Sequence, residues 1–207
     1  MKNWLIIINL LFFAPNLTFG QIAVRVFNFR PTGELGFVMK PTTSVEIAFQ
    51  DRFSKRSTKR FRTGFSLQYI SMKPRLDVFP VSGVGSDANG FRVLPGKQSF
   101  QKYAMIQMTG GMDYAFIHKE KLNVFAGFDI VGGMAAIEYE LYYPGFLNEG
   151  YQGGGVLAGF RFRLGIEYAL SDHFGLFINA NRNAFLIAEH GKFGANDYGF
   201  GIRYSFD

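Results

Sequence analysis

The sequence of 207 residues contains no cysteine. Disulfide bonds, thiolate metal sites and cysteine nucleophiles are therefore excluded. Beyond its amino-terminal segment, the chain has no apolar run that approaches the ~18 residues of a membrane-spanning helix. Charged residues make up only 18%, with 22 Lys and Arg against 16 Asp and Glu. Because no nucleic-acid-binding motif accompanies this basic excess, nucleic acid is not an expected partner.

The amino terminus has the parts of a secretory signal peptide. A basic start precedes the apolar run Trp4–Phe13, and small residues then lead to a cleavage site after Gly20. The run is too short for a stable transmembrane helix, which leaves an amino-terminal anchor as the weaker alternative. We expect residues 1–20 to be removed and residues 21–207 to form one domain.

Apolar and polar side chains alternate along eight segments of the chain. The clearest runs from Val156 to Tyr168, where large apolar residues alternate with small or charged ones such as Gly159 and Arg161. Successive side chains of a strand point to opposite faces, so each segment has one apolar face. The eight predicted strands are Ala23–Met39 with an interruption at Pro31, Val45–Phe53, Arg60–Met72, Tyr103–Ile117, Leu122–Tyr139, Val156–Tyr168, Phe174–Asn183 and Tyr198–Phe206.

Short and long connections alternate between these strands. The short turns are Ser54–Lys59, His118–Lys121 and Ser171–His173, and the long loops are Pro74–Ser99 and Glu140–Gly155. Outer-membrane barrels have short periplasmic turns and longer extracellular loops. The pattern predicts an all-β fold: an eight-stranded antiparallel up-and-down transmembrane β-barrel behind a signal peptide, located in the bacterial outer membrane.

A soluble β-sandwich or lipocalin-like barrel is the alternative, because such folds also alternate. Their polar face is open to solvent and rich in Lys and Glu. Here the minority face carries Gly, Asn, Ser and charges of both signs, which suits a narrow interior better. The long loop Pro74–Ser99 is expected to be a surface loop, although its Asp77, Asp87 and Asn89 leave a calcium clip conceivable.

The two ends of the mature chain resemble the small eight-stranded outer-membrane barrels of the OmpA/OmpX-like type. The opening stretch is Phe29–Gly36 followed by Lys40-Pro41, and the closing stretch is Gly199–Phe206. The aromatic residues Tyr204 and Phe206 are similar to the carboxy-terminal signal that the barrel-assembly machinery reads, although Asp207 follows them here. The resemblance implies the fold, the outer-membrane location and contact with that machinery during biogenesis.

Charged residues recur on the face predicted to point inward. An eight-stranded barrel has an interior just wide enough for side chains to fill, and an unpaired charge there would be costly. We therefore expect acids and bases to pair into a closed polar core, the alternative being a proton or solute path. The predicted residues of this interior network are Glu46, Arg62, Asp113, Asp129, Arg161, Arg163, Glu167 and Arg203.

Two further groups of residues are candidates for contacts. Within the loop Glu140–Gly155, the aromatic residues Tyr142, Tyr143, Phe146 and Tyr151 predict an interfacial girdle or, alternatively, a partner-binding surface. At the turn after the second strand, the basic residues Lys55, Arg56, Lys59 and Arg60 predict contact with lipid headgroups or an acidic partner, or else a solvated turn.

No constellation of residues predicts catalysis. Lipid-A deacylases of this fold use a His-x-Ser pair on the penultimate strand, where this chain reads Asn181-Arg182-Asn183-Ala184. The three histidines, His118, His173 and His190, are far apart in the sequence, so neither a metal nor another cofactor is expected. The sequence thus predicts a non-enzymatic structural or interaction barrel in contact with outer-membrane lipid and with other envelope proteins. A ligand-binding or transport barrel is the alternative, and a lipid-modifying enzyme a weaker one.

Overall fold

The computed structural model describes residues 20–53, 60–87, 90–145, 148–187 and 191–206. The predicted leader lies outside these residues except for Gly20. The described part folds into strands and one short helix: β1 Gln21–Thr32, α1 Glu34–Val38, β2 Thr42–Gln50, β3 Phe61–Met72, β4 Phe79–Asp87, β5 Gly90–His118, β6 Leu122–Tyr142, β7 Glu149–Ala169, β8 Phe174–Ile187 and β9 Gly191–Ser205.

Eight of the strands close into a barrel. The sheet order is β3-β2-β1-β9-β8-β7-β6-β5, and β3 pairs with β5 to complete the circle. Each neighbouring pair is antiparallel, and β1 and β9 are paired from Gln21↔Ser205 to Thr32↔Gly194. Closure leaves the barrel strands no free edge, so their backbone polar groups are satisfied without water.

The outer wall of the barrel is apolar. From Val156 onward on β7, the exposed large side chains are Val156, Phe160, Phe162, Leu164, Ile166 and Tyr168, the same face that the alternation predicts. Among the described residues, no helix is long and apolar enough to cross a membrane. An apolar belt around a closed sheet is the surface of a transmembrane barrel, since a soluble barrel turns its polar face outward.

The two ends of the barrel differ. Gln21 and Ser205 lie together at one end, which also carries the connections at residues 119–121 and 170–173. We call this the terminal end and the opposite one the loop end. In outer-membrane barrels the end with the termini and short turns faces the periplasm. The predicted turn Ser54–Lys59 lies outside the described residues.

The first strand differs from the prediction in its bounds. We expected a strand within Ala23–Met39 with an interruption at Pro31, but β1 begins at Gln21 and ends at Thr32, and residues 34–38 form the helix α1. Gly33 precedes the helix with a φ of 69°, a left-handed conformation that favours glycine. Pro31 lies past Phe29, the last β1 residue paired with β2, so its missing N–H falls where β1 has one partner strand.

The prediction that Pro74–Ser99 forms a surface loop is wrong. It contains β4 and the first part of β5, which pair from Phe79↔Gln98 to Asp87↔Gly90 as a hairpin that extends β5 past the barrel. Gly90, with a φ of 106°, stands at the turn. The hairpin buries neither face fully, so its sequence shows little alternation and carries Pro80 and Pro95, which edge positions tolerate.

The predicted loop Glu140–Gly155 is likewise too long. β6 continues to Tyr142 and β7 begins at Glu149, with register pairs as far out as Leu141↔Glu149. The alternation fades there because the strands have left the apolar belt. Outward positions of β6 become Glu138 and Glu140 after Met134.

We predict that Leu164→Arg destabilises the barrel by about 2–4 kcal/mol, because Leu164 is exposed near the middle of the outward apolar face of β7 and an arginine on the lipid face near mid-bilayer has this cost. The measurement is reversible urea unfolding of the barrel in lipid vesicles. Phe91→Arg is the matched control, since Phe91 is exposed on the hairpin, and it should change stability by no more than about 0.5 kcal/mol. Equal effects of the two substitutions would contradict the assigned lipid face.

Candidate functional site

The lumen of the barrel holds a network of buried charges. All eight residues predicted for the interior are buried, and two more charged residues, Arg25 and Asp197, join them. The set of buried charged residues described by the structure contains five arginines and five carboxylates, so its formal charges balance. The members are Arg25, Arg62, Arg161, Arg163 and Arg203 with Glu46, Asp113, Asp129, Glu167 and Asp197.

Glu46 joins two arginines across the lumen. Its Oε1 accepts a hydrogen bond of 2.8 Å from Arg25 Nη1, and its Oε2 accepts one of 2.5 Å from Arg161 Nη1. Arg25 also donates to Gln50 Oε1 at 2.6 Å, while Arg161 donates to Gln68 Oε1 at 2.5 Å. The bridge ties β2 to β1 and to β7, and β7 is no neighbour of β2 in the sheet.

A second chain of ion pairs runs toward the terminal end. Arg163 Nη2 lies 2.5 Å from Asp129 Oδ1, and its Nε lies 3.4 Å from Asp113 Oδ1. Arg62 then links Asp113 at 2.8 Å to Glu167 at 2.6 Å. Glu167 also lies 2.7 Å from Arg203 Nε. The pairs join residues of β3, β5, β6, β7 and β9, so the lumen is cross-linked between many strands.

Glycines on the inward face give these long side chains room. A Cβ added at Gly127 would lie 2.0 Å from Asp113 Oδ1, and one added at Gly201 would lie 2.7 Å from Arg25 Cγ. Real Cβ atoms do not approach other heavy atoms so closely. The small residues that alternate with the large apolar ones in the sequence therefore leave the space into which the charged side chains pack.

Apolar side chains close the lumen on both sides of the charges. The cluster toward the loop end includes Phe29, Met39, Ile70, Met72, Tyr103, Met105, Val131, Leu157, Phe185 and Ile187. A smaller cluster toward the terminal end includes Ala23, Ala48, Phe53, Ala115, Phe125 and Phe177. Arg62 lies 4.3 Å from the Phe53 ring centre and 4.5 Å from that of Phe125. These rings cover the guanidinium group of Arg62, which is buried, and separate it from solvent.

Sequence reasoning missed Arg25 and Asp197, although both follow the alternation. Arg25 lies between Val24 and Val26, in the register of Ala23 and Phe27, and all three inward residues are buried. Asp197 lies on the inward face of β9, two residues before Gly199 and one residue before the predicted strand begins. It lies opposite Asn181 on β8. Applying the alternation within the predicted first strand finds Arg25, and extending it by one residue in the closing strand finds Asp197.

A cavity of about 670 Å³ lies at the terminal end. Gln21, Phe53, Asn123, Glu167 and Arg203 are among its lining residues, and Phe53 of the apolar cluster bounds it. His118 lies at this end too, with its Nδ1 2.6 Å from Asn123 Oδ1. Within the described ranges, no three His, Cys, Asp or Glu side chains form a group able to hold a metal ion.

One of the predicted aromatic contact residues, Tyr143, contacts the β4–β5 hairpin. Tyr143 packs against its back face, since a Cβ added at Gly83 would lie 2.8 Å from the Tyr143 ring. Tyr142 and Tyr151 are exposed at the loop end of β6 and β7, and Phe146 lies outside the described residues. Tyr142 follows Glu138 and Glu140 on the outward face, past the belt, which favours the contact-surface alternative over a girdle.

The remaining predicted residues that the structure describes lie at the terminal end. Arg60 is exposed just before β3, while Lys55, Arg56 and Lys59 fall outside the described residues. Tyr204 and Phe206 are exposed on the outer wall with their rings 5.4 Å apart, and the Phe206 backbone N–H donates to Gly20 O at 2.9 Å. Both aromatics are thus part of the rim of the belt at the closing strand.

No protein-family model and no curated protein matches the sequence. Solved structures match the fold. Neisserial surface protein A (NspA) aligns with a TM-score of 0.57 and 12% identity, covering 90% of this chain and 96% of that one. Ail of Yersinia pestis aligns at 0.43 and 13%, covering 89% and 98%. The amino-terminal barrel domain of Pseudomonas aeruginosa OprF aligns at 0.35 and 13%, covering 90% and 98%.

The likeness to NspA confirms the predicted fold, that of the small eight-stranded outer-membrane barrels. The apolar belt and the closed sheet of this chain supply the independent physical argument, because only a closed barrel crosses a bilayer with strands. Together they make the chain a barrel of the outer-membrane type.

We predict that Glu46→Gln destabilises the barrel by about 3–5 kcal/mol, because it leaves Arg25 and Arg161 buried without their shared counter-charge. The change in the free energy of unfolding is measured in detergent by far-ultraviolet circular dichroism, which follows the loss of strand structure. Glu140→Gln is the control, since Glu140 is exposed and accepts its hydrogen bond from Gln101 outside the lumen. A loss for Glu46→Gln no larger than for Glu140→Gln would show that the bridge does not support the fold.

Proposed function

We propose that this chain, a barrel of the outer-membrane type, is a non-enzymatic structural and interaction component of the bacterial envelope. The observation that carries the proposal is the filled lumen. Nine of its ten buried charged residues form ion pairs with one another, and apolar clusters fill the lumen on two sides of these pairs, so no open solute path crosses the described part of the barrel. Such a barrel acts through its surfaces rather than its interior.

The surface that most favours an interaction role is the β4–β5 hairpin. Its outer face presents Val84, Phe91 and Val93, which are 75%, 85% and 70% exposed. These residues lie beyond the belt, and a solvated apolar face of this kind is a feature of protein-binding surfaces. The hairpin is held by Tyr143 and by an edge-to-face contact of Phe79 with Phe100 at 5.7 Å.

The edge of β4 supplies a means of attachment. β4 pairs with β5 on one side and with no strand of the described chain on the other. An unpaired edge offers backbone N–H and C=O groups to an extended segment, which adds as a further strand. We therefore propose that the partner is another envelope protein that contributes a strand to β4, as an accessory subunit of a larger outer-membrane assembly would require.

The outer wall of the barrel favours two further partners. Outer-membrane lipid surrounds the belt, and the barrel-assembly machinery is proposed to recognise the closing strand through Tyr204 and Phe206. The alternative of a ligand-binding barrel is favoured by the cavity at the terminal end, which has room for a small polar molecule. It would bind there without crossing the lumen.

We predict that the purified barrel produces no steady discrete openings in a planar bilayer, because the paired charges and apolar clusters fill its lumen. A porin reconstituted in the same bilayer is the positive control. Reproducible unitary conductance of the barrel would overturn the filled-lumen argument and favour the transport alternative.

We also predict that Val84→Lys, Phe91→Lys and Val93→Lys, combined in one variant, abolish stoichiometric co-purification of an envelope partner in mild detergent. Lysine on an edge hairpin opposes strand addition and removes the apolar face. Phe37→Lys is the matched control, because Phe37 is an equally exposed aromatic residue on α1. Isolation of the unaltered protein as a monomer, with a small molecule bound, would instead support the ligand-binding alternative.

A further inference from the structure

Two arginines interrupt the outward face of the barrel wall on β1 and β8. Arg30 on β1 lies opposite Asn196 on β9, and Asn196 lies opposite Arg182 on β8. The three residues therefore form one row across three neighbouring strands. Nearer the terminal end, the outward residues of the same strands are apolar. They include Val24, Leu176, Ile178, Phe200 and Ile202.

Both guanidinium groups donate hydrogen bonds to neutral asparagine side chains. Arg182 Nη1 donates to Asn196 Oδ1 at 2.8 Å, and Arg30 Nε donates to Asn28 Oδ1 at 3.2 Å. The Arg30 guanidinium also lies 5.7 Å from the Tyr198 ring centre. Over the part of the chain that the structure describes, neither arginine has a carboxylate partner, whereas every arginine of the lumen has one.

The row lies at the outer margin of the belt. Arg182 is eight residues beyond Phe174, where β8 begins, and Asn196 is eight residues before Tyr204. At about 3.3 Å per residue and a tilt of about 40°, eight residues rise roughly 20 Å through a belt roughly 25 Å tall. The row therefore lies within about 5 Å of the lipid headgroups, which an outward arginine reaches by extending its charged end toward them.

We propose that Arg30 and Arg182 form a binding site for a phosphate-bearing lipid headgroup of the outer leaflet. Each guanidinium keeps free N–H donors after its bond to an asparagine, and the planar donor fork of arginine matches phosphate oxygens. Asn196 sits between the two arginines and fixes the position of Arg182. The apolar wall beneath the row accommodates the acyl chains of the same lipid, which selects a lipid over free phosphate.

Native mass spectrometry of the barrel in uncharged detergent tests the site. The probes are phosphatidic acid, diacylglycerol with the same chains, inorganic phosphate and a polyglutamate peptide. We expect retention of phosphatidic acid alone. The Arg30→Gln/Arg182→Gln variant should weaken that retention by about tenfold or more for each arginine removed, as expected from losing one charge-assisted hydrogen bond at each position.

Lys102→Gln is the matched control, because Lys102 is also an exposed cation at the belt margin but lies opposite Glu138. It should retain phosphatidic acid like the unaltered barrel. Assembly of each variant is checked by its migration on unboiled gels, and the two single glutamine variants replace the double one if it does not assemble. Unchanged retention by assembled Arg30 and Arg182 variants would overturn the proposal. Equal binding of inorganic phosphate or of polyglutamate would overturn the lipid assignment.

Discussion

The carboxylate of Glu46 lies between the guanidinium groups of Arg25 and Arg161, and the organisation of the lumen depends on this pairing. A closed sheet of eight strands has too little room to hydrate a charge, so each buried charge needs a partner from another strand. Glu46 provides one that reaches across the barrel. The remaining ion pairs continue toward the terminal end. The buried charges of the described residues are formally balanced.

The pairing inside and the apolar wall outside are two consequences of one alternation. Because successive side chains of a strand point in opposite directions, every residue added to the belt adds another to the lumen. The wall requires large apolar residues, and glycines in the lumen give room to some of its large residues. Gly127 next to Asp113 and Gly201 next to Arg25 illustrate how the small residues of one strand accommodate the charged residues of another.

A barrel filled in this way leaves function to its surfaces. The β4–β5 hairpin extends beyond the belt with one unpaired edge, and its apolar face is not needed to stabilise the barrel. The row of Arg30, Asn196 and Arg182 lies at a different place, on the wall itself. The two surfaces would serve different partners, a protein strand above the membrane and a lipid within it, and neither role depends on the other.

The sequence predicted the barrel strands and their faces because alternation is a local property of each strand. Residues 156–168 show this best, since every one of their large side chains lies on the predicted face. The prediction weakened where the strands leave the belt. β4, the outer part of β5 and the ends of β6 and β7 lie outside the belt and bury neither face fully. Apolar and polar residues therefore do not alternate clearly there, and the sequence pattern predicted a loop in place of the hairpin.

By itself, the sequence determined which residues face the lumen, including the eight predicted charges, because that requires only the two-residue period. The tertiary structure decided which charges pair. Glu46 and Arg161 are 115 residues apart and lie on strands that are not neighbours, so their contact depends on the closure and stagger of the whole barrel. The alignment of Arg30, Asn196 and Arg182 has the same origin, since it exists only once β1 has paired with β9.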